Sequence, residues 1–340
     1  MRKAIALLAA IALLVGSGYY LVFPKASAQA RSRLDQVKAR GKLICGVSGE
    51  TVGFSFVDPT TSQIVGFDAD FCRAVAAWVG VPQVEFVRLT SANRIPAVLS
   101  GSVDVVFRTT TVTWSRDEQV DFGPVTFYDG QRLLVKSASK IRGLDDLSGA
   151  RICSQQGTTS ERNITDQMRL RRFRFELITF DSPQAAFQGL VSGRCDVWTT
   201  DASQLTAFRA TAPNPNEFMV VGQEFSDEPL APILPENDSK WHDAVAYAVY
   251  GVVLAEELGI RQITAASESR LKEIKDANPI AKALLEANGG AMVRALKAVG
   301  NYGEIYNRYF GPGKKTHIPR EGTRNALARN GGAITSRPFR

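Results

Sequence analysis

Histidine is nearly missing from this chain: 340 residues hold only His242 and His317. The two are far apart in sequence and belong to none of the motifs singled out below, so a His-ligated metal centre or a His general base lacks its parts. Cysteine is limited to Cys45, Cys72, Cys153 and Cys195. None stands in a C-x-x-C pair, which argues against structural zinc. After residue 30 no stretch is long and apolar enough to cross a bilayer. Charge is no better as a pointer to nucleic acid, because the formal excess is only +7. The basic cluster Arg169, Arg171, Arg172 and Arg174 has no aromatics interleaved at a nucleic-acid spacing, and reads as a solvated helix end and strand start. The expectation is therefore no metal, no cofactor and no nucleic-acid partner.

What is present begins with an export signature. Arg2 and Lys3 precede an apolar run from Ala4 to Val15, and Ala28-Gln29-Ala30 supplies a small-x-small cleavage pattern. Residues 1–30 read as a signal peptide cut after Ala30, with retention as a membrane anchor the alternative. Cleavage leaves 340 − 30 = 310 residues and a charge of 7 − 3 = +4, since Arg2, Lys3 and Lys25 depart. That length suffices for two lobes with cores of their own. In an exported chain, four cysteines read as disulfides, and they allow three pairings. We favour Cys45–Cys72 and Cys153–Cys195, because each pair then stays inside one predicted lobe. A nucleophilic cysteine has no support in an oxidising compartment.

Apolar periodicity gives an alternation of strand and helix. Leu43–Val47, Val84–Leu89 and Val103–Phe107 read as strands. Phe67–Val79 reads as a helix stopped by Gly80, and Ser91–Leu99 as a short helix that Pro96 forces to start late. A second set repeats the pattern: strands at 150–153, 175–180 and 196–199, helices at 160–170 and 184–190. This is a β-α-β-α-β order, which predicts an α/β fold with mostly parallel sheets. Two sequence echoes point to twin lobes. Leu43-Ile44-Cys45 is matched by Arg151-Ile152-Cys153, and Ser100-Gly101-Ser102-Val103-Asp104-Val105 by Ser192-Gly193-Arg194-Cys195-Asp196-Val197. Extended segments at 130–136 and 228–234 would carry the chain across twice, which permits hinging. Helical stretches follow at 241–258 and 291–310. The Gly-, Pro- and Arg-rich tail has little to bury and is expected to wrap the surface.

Three segments at strand ends carry candidate chemistry, and strand C-termini are where open α/β sheets bind ligands. The first is Thr109-Thr110-Thr111-Val112-Thr113-Trp114-Ser115-Arg116, with Thr113 as a candidate N-cap. Arg116 offers a two-pronged donor for a carboxylate; the competing reading pairs it at the surface with Asp117, Glu118 or Asp121. The second is Gln155-Gln156-Gly157-Thr158-Thr159, whose amides and hydroxyls face an anion at a helix start or merely cap that helix. The third is Thr199-Thr200-Asp201, where Asp201 either receives an ammonium group or caps the next helix. Together they complement a zwitterion lying between two lobes.

These same motifs carry a family resemblance. Gly66-Phe67-Asp68-Ala69-Asp70, Arg108-Thr109-Thr110-Thr111, Thr113-Trp114-Ser115-Arg116-Asp117, Phe127-Tyr128-Asp129-Gly130-Gln131, Cys153-Ser154-Gln155-Gln156-Gly157-Thr158-Thr159, Thr199-Thr200-Asp201, Ala255-Glu256-Glu257-Leu258-Gly259-Ile260 and Asn301-Tyr302-Gly303-Glu304-Ile305-Tyr306 make the chain similar to periplasmic amino-acid-binding proteins of ABC importers. The similarity is greatest to the general L-amino-acid-binding subfamily and spans nearly all of the chain after residue 30.

The resemblance implies a type II periplasmic-binding-protein fold with two hinge crossovers. Lobe I would take 31–134 plus 229–310, lobe II 135–228, and an extended tail 311–340. It implies that Thr111 and Arg116 hold the ligand carboxylate with Thr158 and Thr159. Asp201 would receive the α-ammonium group, and Ser48 and Thr109 would add contacts. It further implies a monomer in the periplasm, an L-amino acid as ligand and a membrane permease as partner. Three departures stand out. The place of a side-chain-stacking aromatic falls near Thr51, with Phe54 and Phe56 following at positions that usually pack in the core. Thr109 replaces the usual Asn, and Ala328, Ile334 and Thr335 replace tail residues usual in the subfamily. Two rival readings are a periplasmic dehydratase-like enzyme on the same scaffold and a sensory ligand-binding module.

Overall fold

A computed structural model describes residues 31–339; the expected signal segment 1–30 and its expected cleavage site lie outside the described residues. Strand Lys42–Val47 lies second from one edge of a five-stranded sheet. It is flanked in parallel by Gln83–Arg88 and by Val105–Val106. Ile233–Leu234 then runs antiparallel between Val105–Val106 and Asp121–Phe122. Strand Arg151–Gln155 has the same position in a second sheet, parallel to Glu176–Phe180 and to Val197–Asp201. Gln131–Lys136 and Phe218–Val221 extend that sheet in antiparallel fashion. The result is the mixed, mostly parallel architecture that the alternation predicts.

Both echoes bear on this symmetry, but only one is in register. Cys45 lies opposite Val105, whereas Ile152 lies opposite Val197. The Ser-Gly-x-x-Asp-Val echo therefore matches residue for residue, and the cysteine echo is off by one. A slip of one residue turns a side chain to the other face of a strand. The two cysteines accordingly take different partners. Cys45 bonds Cys72 of helix Phe67–Val79, and Cys153 bonds Cys195 just before strand Val197–Asp201, with Cα separations of 6.1 and 5.7 Å. Loops of 27 and 42 residues correspond to roughly 3.5 and 4 kcal/mol in a chain-entropy estimate. The echoed aspartates do parallel work. Asp104 accepts from the Ile44 amide at 2.7 Å, and Asp196 from the Arg151 amide at 2.8 Å.

The helices follow their signals. Phe67–Val79 ends on Gly80 at φ 84°, the left-handed C-cap that glycine adopts without strain. The late start at Pro96 is real, with the helix running Arg94–Leu99. Strand Val103–Phe107 is shorter than its apolar run, reduced to Val105–Val106. Single ladder bonds from Asp104 to Ile44 and from Phe107 to Gly46 continue its line. Helices at Gln262–Ala265 and Glu268–Ala277 were not legible in the sequence. Among the described residues no helix is long and apolar enough to cross a membrane.

Two crossover segments, Phe127–Asp129 and Glu228–Leu230, pair antiparallel between the sheets. Phe127 joins a knot of rings with Phe54, Phe67, Tyr306 and Phe310. Phe54 is fully buried there, so it is a core residue, whereas Phe56 is partly exposed. The tail departs from expectation, because it buries Leu327, Ile334 and Phe339 against the first lobe's core. It also touches the crossover: Asn325 accepts from the Tyr128 amide at 2.7 Å and donates to its carbonyl at 2.8 Å.

Candidate functional site

The site is built where strands of both sheets stop. In the first sheet, Val105–Val106 gives way to Phe107, Arg108 and the three threonines. Arg108 is buried, donating from Nε to the Leu89 carbonyl at 2.8 Å and from Nη1 to Ser91 Oγ at 2.7 Å. Thr109 follows at φ 40°, and its amide donates to Asp68 Oδ2 at 3.2 Å. Thr111 bridges to Leu230 on the second crossover. Arg94, at the start of its short helix, is 2% exposed and donates to the carbonyls of Arg108 (3.2 Å) and Thr109 (3.4 Å). Its Nε has no partner.

In the second sheet, Thr158 caps helix Thr159–Leu170 through Oγ1, accepting from the Glu161 amide at 3.1 Å. The same hydroxyl donates to the Gln155 carbonyl at 2.6 Å. The capping reading of this segment therefore holds for Thr158, while Thr159 is free to work elsewhere. Its Oγ1 lies 3.3 Å from Thr111 Oγ1 on the other lobe and donates to Glu228 at 2.9 Å. Asp201 ends strand Val197–Asp201 and makes no side-chain cap to the helix that follows, so the capping alternative fails there.

These pieces close on one small cavity. Arg94, Arg108, Thr109, Thr111 and Ser91 line it from one side. Gln155, Thr158, Thr159, Ser160, Thr200, Asp201 and Gln204 line it from the other. Every lining side chain is polar. Its room, about 20 Å³, is that of roughly one water molecule, so anything larger enters only when the lobes part. Further contacts join the lobes besides Thr111–Thr159. Arg116 reaches the Gly157 carbonyl at 3.4 Å, Gln204 donates to Thr51 Oγ1 at 3.3 Å, and Arg162 approaches Ser115 Oγ at 3.5 Å. Gly157 (φ 74°) allows this closeness, since a Cβ there would meet Ala92 Cα at 3.0 Å.

Of the residues read from the sequence, Thr109, Thr111, Thr158, Thr159 and Asp201 line the cavity together. Arg116 stands behind Thr111, donating to its carbonyl at 2.8 Å. It is buried and makes no ion pair with Asp117, Glu118 or Asp121, so the surface reading of this residue falls. Ser48 is outside the cavity, in an adjoining groove that shares Arg108 and Gln155, and it accepts from Thr51. Thr113 starts the short helix Trp114–Asp117, but its hydroxyl makes no capping bond. Arg94, Gln204 and Glu228 were missed. The available signal for Arg94 was an arginine at the head of an apolar helix that Pro96 pins beside the cleft.

The charges are unbalanced in an informative way. Burial lowers Arg94 well below the usual arginine range, and repulsion from Arg116 and Arg108 adds to it. Burial also brings Arg108 and Arg116 down to about 10. Opposite them, burial raises Asp201 well above the usual carboxylate range, with Asp129 and Glu228 pushing the same way. Guanidiniums crowd one wall and a lone carboxylate faces the cavity from the other. The arrangement suits a ligand that brings one or two negative groups to the first lobe and a positive group to the second.

Residues 43–312 match the bacterial extracellular solute-binding proteins, family 3. The general L-amino acid-binding periplasmic protein AapJ of Rhizobium johnstonii is 36% identical over 332 residues, covering 93% of this chain and 95% of its own. The glutamate/glutamine/aspartate/asparagine-binding protein BztA of Rhodobacter capsulatus is 37% identical over 331 residues, with coverage of 93% and 95%. Among solved structures, an ABC-transporter periplasmic binding protein from Brucella ovis with glutathione bound superposes at a TM-score of 0.83. It is 35% identical and covers 91% of this chain and 100% of its own.

Proposed function

This chain belongs to family 3 of the bacterial extracellular solute-binding proteins, and from that premise we propose that it captures L-amino acids with acidic or amide side chains and hands them to an ABC importer. The carrying observation is a closed, wholly polar cavity with Arg94 and Arg108 on one lobe and Asp201 on the other. An α-ammonium group on Asp201 and carboxylates toward Thr111, Thr159 and the arginines would use all of them. Arg116 supports this wall by holding Thr111, and Ser48 supports it through Thr51. The polar Thr51–Gln204 contact occupies the place where relatives stack an aromatic ring, which leaves no apolar wall for a hydrophobic ligand. The specificities for which the two relatives are named, general L-amino acids in one and glutamate, glutamine, aspartate and asparagine in the other, agree with this reading.

Capture proceeds by lobe closure. Ligand contacts come from both lobes, so the ligand favours the closed state by its differential affinity. The mature chain begins at Arg31 in the periplasm. Its lobes are 31–134 with 229–310 and 135–228, and the tail 311–340 straps the first lobe. It works as a monomer that docks on a membrane permease. No acid–base pair of the kind a dehydratase needs is assigned, because the cavity's one carboxylate is matched by the ligand's ammonium.

Thermal-shift titration of the chain from Arg31 onward against the proteinogenic amino acids tests this. Binding raises the midpoint with the logarithm of ligand over Kd. Glutamate, aspartate, glutamine and asparagine are expected to give the largest shifts. Shifts only with hydrophobic amino acids, or only with acids lacking an ammonium group, would overturn it.

A further inference from the structure

Glu228 is a charged residue that the amino-acid site does not explain. It is 1% exposed and opens the second crossover strand, Glu228–Leu230, opposite Asp129 of the first. Its carboxylate accepts three hydrogen bonds from its own side of the cleft: Thr159 Oγ1 at 2.9 Å, Asn163 Nδ2 at 2.8 Å and Ser226 Oγ at 2.6 Å. The first of these has a directional consequence. Thr159 has one hydroxyl proton. With that proton on Glu228, the 3.3 Å contact between Thr159 Oγ1 and Thr111 Oγ1 can form only with Thr111 as donor. The order runs Thr111 to Thr159 to Glu228, from the first lobe through the second to the crossover.

We propose that Glu228 is a positioning residue that latches the closed state, by orienting the Thr159 hydroxyl to receive the hydrogen bond Thr111 sends across the cleft. A carboxylate at the end of such a chain strengthens each bond before it. The crossover is also where closure bends the chain, so the latch is set where lobe movement is felt. Thr111 is fixed from behind by Arg116 and by its bridge to Leu230, two residues beyond Glu228. Opening the lobes breaks the Thr111–Thr159 contact and leaves the Glu228 cluster intact on one side. The closed state alone gains from it. Glu228 touches no ligand in this scheme. The kinetic part rests on the amino-acid-binding reading above; the conformational part does not.

The test uses Glu228→Gln, which keeps the shape, with Thr159→Val and the double variant. Hydrogen exchange without ligand comes first. Faster exchange is expected both at 157–163 and across the cleft at 109–116. A rise confined to 157–163 would overturn the latch and leave Glu228 a local support of one helix. Stopped-flow kinetics with L-glutamate come second. Release should be about tenfold faster in Glu228→Gln, the loss of one charge-assisted hydrogen bond, with association nearly unchanged, and faster still in Thr159→Val, which also loses a ligand contact. The double variant should release no faster than Thr159→Val alone, and a further gain from adding Glu228→Gln would overturn the relay. If wild-type protein ignores L-glutamate while exchange rises on both sides, the ligand reading fails and the latch stands.

Discussion

Thr109 and Asp68 lock each other: the Thr109 amide donates to Asp68 Oδ2 at 3.2 Å while Thr109 is held at φ 40°. A β-branched residue in the left-handed region is a genuine outlier, whereas Asn and Gly visit it readily. This accounts for the Asn that resembling proteins have at this place. Thr109→Asn is expected to raise stability by up to about 1 kcal/mol, the low end of the cost of such strain. Urea unfolding of the two proteins measures it, with the slope unchanged. A lower midpoint for the variant would mean that Thr109's side chain contributes more than its backbone costs.

Asp68 also sets a pH dependence. Burial raises its carboxyl to about 7, against the Thr109 amide and Arg108, which pull it down. A raised folded-state value means that the native protein holds the proton more tightly than the unfolded chain does. The associated stability is full below about pH 4 and is lost as pH rises through about 7. Asp129, likewise raised to about 7 by burial, acts in the same direction. The expected outcome is a denaturation midpoint that falls as pH rises from about 4 to about 7. Asp68→Asn, which still accepts from Thr109, should make that slope shallower. An unchanged slope would remove Asp68 as its source.

How far the sequence speaks depends on whether a residue's neighbours are local. Helix Phe67–Val79 was legible end to end because its apolar stripe and its glycine stop are both local signals. Thr111, Thr159 and Asp201 were legible because strand ends place them. Helix Glu268–Ala277 was not, since Leu271 is its only buried residue and the stripe is too thin to see. The break at Asn288, Gly289 and Gly290 hid only the first half of helix Pro279–Val299, since its second half falls within the expected helical stretch 291–310. Arg94 and Glu228 look like surface charges in sequence. Their burial comes from the closing of the second lobe and from the packing of the crossover, which no local window contains. The cysteine echo misled by one residue because strand register is set by the neighbouring strand.

Asp201 should release a proton when ligand binds. Burial first, then Asp129 and Glu228, hold its carboxyl well above the usual range in the closed protein. An ammonium group arriving beside it favours the charged form and pulls the value back down. Calorimetric titration with L-glutamate at neutral pH, in two buffers of different ionisation enthalpy, reads the number of protons released. A positive number is expected for the wild type and a smaller one for Asp201→Asn. Buffer-independent heats in the wild type would place the ammonium group elsewhere.

Arg94 and Arg116 should fail differently when removed. Arg94 lines the cavity with an unpartnered Nε, so under the proposed function it would meet the ligand directly. Arg116 acts through Thr111, whose carbonyl it holds at 2.8 Å, and through Gly157 of the opposing lobe. Arg94→Met keeps the volume of the stem while removing one positive charge from a wall that has too many. It should weaken acidic ligands by about 2 kcal/mol, the worth of a hydrogen bond to a charged group, and weaken glutamine and asparagine less. Arg116→Met should weaken all amino acids alike, because the shared carboxylate end and the lobe contact both suffer. Competition binding with glutamate and glutamine on both variants separates the two roles. Equal losses for both ligands in Arg94→Met would make that residue part of the common carboxylate wall, and the preference for acidic side chains would then belong to Arg108.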